Sequence, residues 1–227
     1  MLFRSQEIHL MSLVTRNIST LLYILLAASL MSGCSIDQVH STADHADFSL
    51  DKNDLETYGL AFITPSTVTG QEEDKQTLAF AFANAMQESR PDIRLVTLPE
   101  TISAINVADM TEDYKLMYVD YRDTGVFKHD LLEKVGEVTG TRYLAQLKLS
   151  DFSQNSKSRF NLFGFRLLQT KEANIRIFFQ IWDSSDGTIA WEGTEEMSYS
   201  WDTGSEKPVT FRIIVEKTAN NLITLLP

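Results

Sequence analysis

The chain has little cysteine, few bases for its acids and no long apolar run. One cysteine, Cys34, in 227 residues excludes an intrachain disulfide, so an oxidising location has to be argued from the N-terminus instead. Against 31 Asp and Glu stand only 20 Lys and Arg, and they form no basic run. A net charge of −11 therefore excludes nucleic acid as a partner, since phosphates would be repelled and no counterions released. The sequence also lacks a G-x-S-x-G elbow, an H-E-x-x-H pair and a Walker loop, which removes the commonest hydrolase and nucleotide-binding signatures. What is present is 43% hydrophobic and 10% aromatic residues, enough to build a real core.

Near the N-terminus, Leu21–Met31 (LLYILLAASLM) is free of charge for eleven residues, preceded by Arg16. That is the length of a signal-peptide core. A membrane-crossing helix needs about 20 apolar residues, and Ser32, Ser35 and Asp37 end this run early. Glu7 and His9 make a poor leader from Met1, and a start at Met11 gives the more ordinary one. Met31-Ser32-Gly33-Cys34 resembles a bacterial lipobox, with Met31 standing where Leu is usual. The resemblance implies that residues 1–33 are a lipoprotein signal peptide and that Cys34 becomes the first mature residue, carrying a diacylglycerol on sulfur and an N-acyl chain. Ser35, rather than Asp, after the cysteine implies the outer membrane, periplasmic face. The alternative for Cys34 is a buried free thiol at a helix end. Cleavage would leave 194 residues with net charge −12, so the bilayer would be held by acyl chains and not by electrostatics.

Residues 34–56 are polar and acidic without sustained periodicity, which predicts an acylated cysteine followed by a flexible tether. Its His40, Asp44, His45 and Asp47 could be imagined as metal ligands, but no periodic element fixes them, and a solvated linker is the reading adopted. The folded part is expected at residues 57–227. Tyr58–Thr64 reads as a strand closed by Pro65. Glu72–Lys75 reads as part of a polar loop, and LAFAFANAMQES that follows carries Leu78, Phe82, Ala85 and Met86 on one helical face. Ile93–Leu98 alternates, and Pro99-Glu100 opens a helix where proline costs no hydrogen bond. Thr111–Tyr121 reads as a helix with Leu116, Met117 and Val119 inward. FKHDLLEKVGEVTG reads as a helix capped by Gly140. Thr141–Leu149 alternates with Tyr143, Ala145, Leu147 and Leu149 on one face. Ala173–Trp201 reads as a hairpin turning at Asp183–Gly187, and the C-terminal segment as an amphipathic helix through Phe211, Ile214, Thr218, Leu222 and Leu225. Interleaved strands and helices followed by a hairpin predict an α/β (α+β) fold: a mixed sheet with helices on at least one face, in one domain.

Three stretches, GTRYLAQLKL (Gly140–Leu149), WDSSDGTIAW (Trp182–Trp191) and the final helix ending Leu226-Pro227, together resemble the periplasmic α/β domain of CsgG-type and LpoB-type outer-membrane lipoproteins and the N-terminal domain of TolB. The resemblance implies non-enzymatic work: docking on an envelope protein, activating a cell-wall synthase, or forming a homo-oligomer. The segment Asp151–Thr170 is too short and too charged for the paired membrane hairpins a pore would need. No cofactor is implied beyond the lipid on Cys34. The candidate contact surface is in the same segment: Arg159, Phe160, Leu162, Phe163, Phe165 and Arg166, either packed on the core or offered to a partner protein or the lipid interface. Tyr199 and Trp201 pose the same question. His129-Asp130 cannot act as a pair because adjacent helical residues diverge, and the acids Glu72-Glu73-Asp74 and Glu195-Glu196 read as solvated charge. The rival functions are an envelope hydrolase with a site assembled from distant residues, and an accessory lipoprotein of an exporter, which would show an apolar groove.

Overall fold

A computed structural model describes residues 37–162, 165–203 and 210–227, with side chains at all of these except 37, 156–170 and 201–203. Seven strands form one mixed sheet in the order β1-β7-β6-β5-β2-β4, with β3 also beside β5. β5 (Tyr143–Leu162), β6 (Phe165–Asp183) and β7 (Ile189–Thr203) pair antiparallel in sequence, and β1 (Asp37–Asp47) adds antiparallel to β7. The short strands β2 (Leu60–Phe62), β3 (Ser66–Thr67) and β4 (Leu95–Val96) join by parallel pairing.

Strict alternation in β5 and β6 puts Tyr143, Ala145, Leu147, Ile175, Ile177, Phe179 and Ile181 on one face, all of them buried. That face is covered by α2 (Glu72–Ser89) and α6 (Phe211–Ile223), whose inward stripes are Leu78-Phe82-Met86 and Ile214-Thr218-Leu222. The opposite face, with Ala61, Ile63, Leu144 and Trp182, packs a second core under α3 (Leu98–Val107), α4 (Thr111–Thr124) and α5 (His129–Thr139). The fold is thus an α+β domain with helices on both faces of a mixed sheet. Local chemistry sets its corners. Pro99 lies in the first turn of α3, where the Glu100 carboxylate accepts from the Thr97 N–H and hydroxyl, holding Glu100 below the ordinary glutamate range. Gly140 ends α5 at φ 66°, a conformation costly for any residue with a Cβ, and delivers the chain into β5.

Three expectations are corrected. The segment expected as a flexible tether is structured from Asp37: β1 runs eleven residues along β7, Leu50 and Leu55 are buried, and α1 (Asp54–Tyr58) supplies Asp54 to the Tyr143 hydroxyl at 2.7 Å. An edge strand is held by backbone pairing and needs no apolar alternation, so its sequence carries no period. The acids expected in a loop, Glu72-Glu73-Asp74, form the first turn of α2, where the helix dipole favours them. In α4 the inward residues are Tyr114, Met117, Tyr118 and Tyr121, whereas Leu116 and Val119 face outward. The tyrosines at three- and four-residue steps around Met117 form the wider apolar stripe and win the buried side.

Candidate functional site

β5 and β6 do not stop where their apolar alternation stops. After a register shift between Leu149 and Asp151 they run on as one hairpin to the pair Leu162–Phe165. The strand expected to end at Leu149 is therefore continuous through the segment expected as an insert, because backbone pairing between two long antiparallel strands can persist without buried side chains. At its root Phe152 meets Phe211 edge-on, 4.7 Å between centroids, and Tyr199 is buried beneath Lys217, whose ammonium lies 5.2 Å from the ring. Tyr199 is thus core and not a contact residue. One line of register crosses all four long strands: Asp37 opposite Trp201, Trp201 opposite Lys171, Lys171 opposite Ser156. β7 is described as far as Thr203, opposite Gln169, and among the described residues β5 and β6 continue beyond that pair. There Phe160 pairs with Leu168, Asn161 with Arg166 and Leu162 with Phe165, while Arg159 falls in the register shift before Phe160. Five of the six candidate contact residues therefore share the hairpin end; Phe163 and Cys34 lie outside the described residues.

Beneath β1 is a group the sequence did not single out correctly. Glu195, expected as solvated charge, is fully buried among the α6-facing residues of β7. Its Oε1 accepts from the Ser41 hydroxyl on β1 and, at 2.8 Å, from Asn221 Nδ2 on α6, while Oε2 has no partner. Burial pushes this carboxyl above the ordinary glutamate range, and the two hydrogen bonds offset part of the push. Only its neighbour Glu196 is the solvated residue, paired with Arg176. The signal was present in strand parity: Glu195 shares a face with Trp191, Met197 and Tyr199. Because the unfolded carboxyl ionises near pH 4.3 and the folded one higher, ionisation of Glu195 removes stability as pH rises above about 4 and then levels off. Glu195→Gln lacks this penalty. Its stability relative to wild type should improve with rising pH above about 4, as read by urea unfolding across a pH series. A difference that is the same at acid and neutral pH would refute the burial argument.

On the other face a polar chain threads the second core. Tyr114 Oη bonds the Thr64 backbone N–H at 2.9 Å and lies 3.4 Å from Tyr118 Oη, and Tyr118 donates to Gln146 Oε1 at 3.4 Å. Gln146 Nε2 donates to Ser66, and Gln180 links Trp182 to Glu192. Burial raises the hydroxyl pKa of Tyr114 and, beside it, that of Tyr118 well above the ordinary value, so both stay neutral donors. Every described link is internal, and the chain reads as structural. At the β5 entry Arg142 makes a two-nitrogen contact to buried Asp183, at 2.6 and 2.9 Å to Oδ2, which ties the β6–β7 turn to the start of β5.

An open groove of about 820 Å³ lies on α2 between α3 and α6. Phe80 and Ile102 line it half-exposed, with Asn84 and Gln87 among them and Arg212 and Glu216 at its rim, 2.6 Å apart. Hydrolase chemistry would call for convergent carboxylates. Glu72, the other acid of the groove, is paired with Lys75 at 3.3 Å. His129, at the start of α5, has Nε2 3.1 Å from the Ser185 carbonyl. Among the described residues no group of three or more His, Cys, Asp or Glu could hold a metal, and no helix is long and apolar enough to cross a membrane. His45 of the HSTADHAD stretch stacks on Trp191, 6.2 Å between centroids.

No family model matches the chain, and no curated protein matches it in sequence. Solved structures to which it is similar include the PelC dodecamer from Paraburkholderia phytofirmans, at 12% identity and TM-score 0.42 over 84% of this chain and 94% of that one. Another is lipoprotein GNA1162 from Neisseria meningitidis, at 9% identity and TM-score 0.37 over 74% of this chain and 99% of that one. Likenesses this distant fix neither activity nor assembly.

Proposed function

We propose that this chain is a lipid-anchored protein of the bacterial envelope, held at the periplasmic face of the outer membrane by acyl chains on Cys34. It works as a binding or assembly component of an envelope machine, without enzymatic chemistry or cofactor. What supports the reading is the hairpin: β5 and β6 stay paired through a segment whose sequence is rich in Phe and Arg, a composition suited to contact. The groove on α2 favours one variant of the role, an exporter accessory that shields an acyl chain, since Phe80 and Ile102 are exposed there.

The test is made on the full chain in a Gram-negative host. Labelled palmitate should enter the wild type, which fractionates with outer membranes, and should disappear in Cys34→Ser, which becomes soluble. Labelling that survives the substitution refutes the anchor. Pull-down from detergent-solubilised membranes should recover an envelope protein, and recovery of none refutes the assembly role.

A further inference from the structure

We propose that β1 is a self-association edge: two copies of this chain pair β1 against β1, antiparallel about a two-fold axis at Thr42, and so join their sheets into one. This edge lies outside the β5–β6 hairpin and outside Cys34, and its pairing does not depend on acylation.

β1 is the outermost strand of the sheet among the described residues, and Gln38–Asp47 are all exposed. It runs eleven residues with no register shift against β7 and contains neither proline nor lysine, devices that ordinarily blunt a strand edge. The Phe48 N–H donates to the Ala190 carbonyl at 3.0 Å, in step with the Asp47–Trp191 register. Hydrogen-bonded and non-hydrogen-bonded pairs alternate along an antiparallel ladder, so His40, Thr42, Asp44 and Ala46 are the residues whose backbones bond β7. The N–H and C=O groups of Val39, Ser41, Ala43, His45 and Asp47 therefore point away from β7, toward no described strand.

These free groups restrict how the strand can meet its own copy. Odd residues must oppose odd residues, and the register centred on Thr42 does this while overlapping the whole strand. It opposes Val39 to His45 and Ser41 to Ala43, each twice, as hydrogen-bonded pairs. It also sets His40 directly opposite the second copy's Asp44, again twice, in the closer non-hydrogen-bonded positions. An imidazole N–H against a carboxylate is a favourable cross-strand pair, with the ring neutral or charged. Centring on Ser41 or Ala43, the neighbouring registers that parity allows, puts His40 opposite Thr42 or Ala46 and loses both pairs. The like-charge pair Asp37 with Asp47 falls at the strand ends.

The face toward α6 fits the same register. Val39, 44% exposed, comes opposite the second copy's His45, whose ring is already stacked on Trp191. Ser41 keeps its bond to Glu195, so pairing asks for no rearrangement within the domain. An extended peptide of another protein could use the free backbone groups, but the doubled match of His40 with Asp44 belongs to this strand against itself, as a two-fold interface requires.

The test uses the full chain in mild detergent, with Cys34→Ser removing its one thiol. Thr42→Cys then places two sulfurs across the axis, in a pair whose Cα atoms lie about 4.5 Å apart, within the span of a disulfide. It should oxidise to a covalent dimer about tenfold faster than Ala46→Cys, equally exposed but opposite Gln38 and about 27 Å from its own copy. Sedimentation should show a dimer for the parent chain. His40→Asp, which sets carboxylate against carboxylate, should weaken it about tenfold, and His40→Asp with Asp44→His should restore it by rebuilding both pairs. Circular dichroism checks each fold, and Asp44→His alone replaces His40→Asp if the latter misfolds. A monomer throughout the micromolar range, equal oxidation at positions 42 and 46, or a dimer indifferent to these substitutions overturns the inference. None of these outcomes bears on palmitate incorporation, so this interface and the lipoprotein reading fail separately.

Discussion

Trp191→Ala should lower the unfolding free energy by about 3–5 kcal/mol, the cost of emptying an indole-sized site in a core. Trp191 is fully buried on β7, with Phe179 edge-on at 5.4 Å and His45 stacked at 6.2 Å. It lies along the sheet over Gly193, where an added Cβ would come within 2.3 Å of the indole Cη2. Neither neighbour can collapse into the space: Phe179 is already wedged between Phe62 and Phe82, and β1 is pinned by its register with β7. The indole Nε1 has no hydrogen-bond partner, so the loss is of packing alone, and Trp191→Phe should cost clearly less than Trp191→Ala. Urea unfolding followed by far-UV circular dichroism reads both. In a domain of this size the alanine variant should melt about 6–20 °C lower. A loss below about 1.5 kcal/mol would mean the site relaxes and this packing account is wrong.

Phe127→Ala should be of similar size, about 3–5 kcal/mol, on the opposite face of the sheet. Phe127 sits between α4 and α5 with its ring stacked on Tyr121 at 4.1 Å and edge-on to Trp182 at 5.2 Å and Tyr118 at 5.7 Å. Its ring is fully buried and touches all three. Its removal opens a cavity and loosens Tyr118, whose hydroxyl reaches Gln146 at 3.4 Å. The variant should therefore show a changed Trp182 near-UV signal even while folded. An unchanged near-UV spectrum with little loss of stability would place the weight of this core elsewhere.

These two sites mark how far the sequence could be read. The alternation of Ile175, Ile177, Phe179 and Ile181, the cap at Gly140 and the turn at Asp183–Gly187 all announce themselves, because each is set by neighbours within a few residues. The direction of α4 is not legible from apolarity alone: Leu116 and Val119 are apolar yet exposed, and the tyrosine stripe takes the buried side. The charge of Glu195 points outward while strand parity puts it inside, and Ser41 and Asn221, 154 and 26 residues away, make that place tolerable. Of the candidate contact surface, residue content was legible, but not that the strands around it are continuous.

By itself the sequence determined the α+β class, the apolar faces of its central strands and last helix, and the chemistry of the segment between Arg159 and Arg166. These follow from period, turn residues and composition, which act locally. Tertiary structure alone decided that the acidic stretch before Leu50 is an edge strand, that both faces of the sheet are covered, and that β1 begins at the end from which the hairpin projects. The reason is that strand pairing is a contract between distant backbones: it places Asp37 beside Trp201 through hydrogen bonds that no side-chain pattern in either segment records.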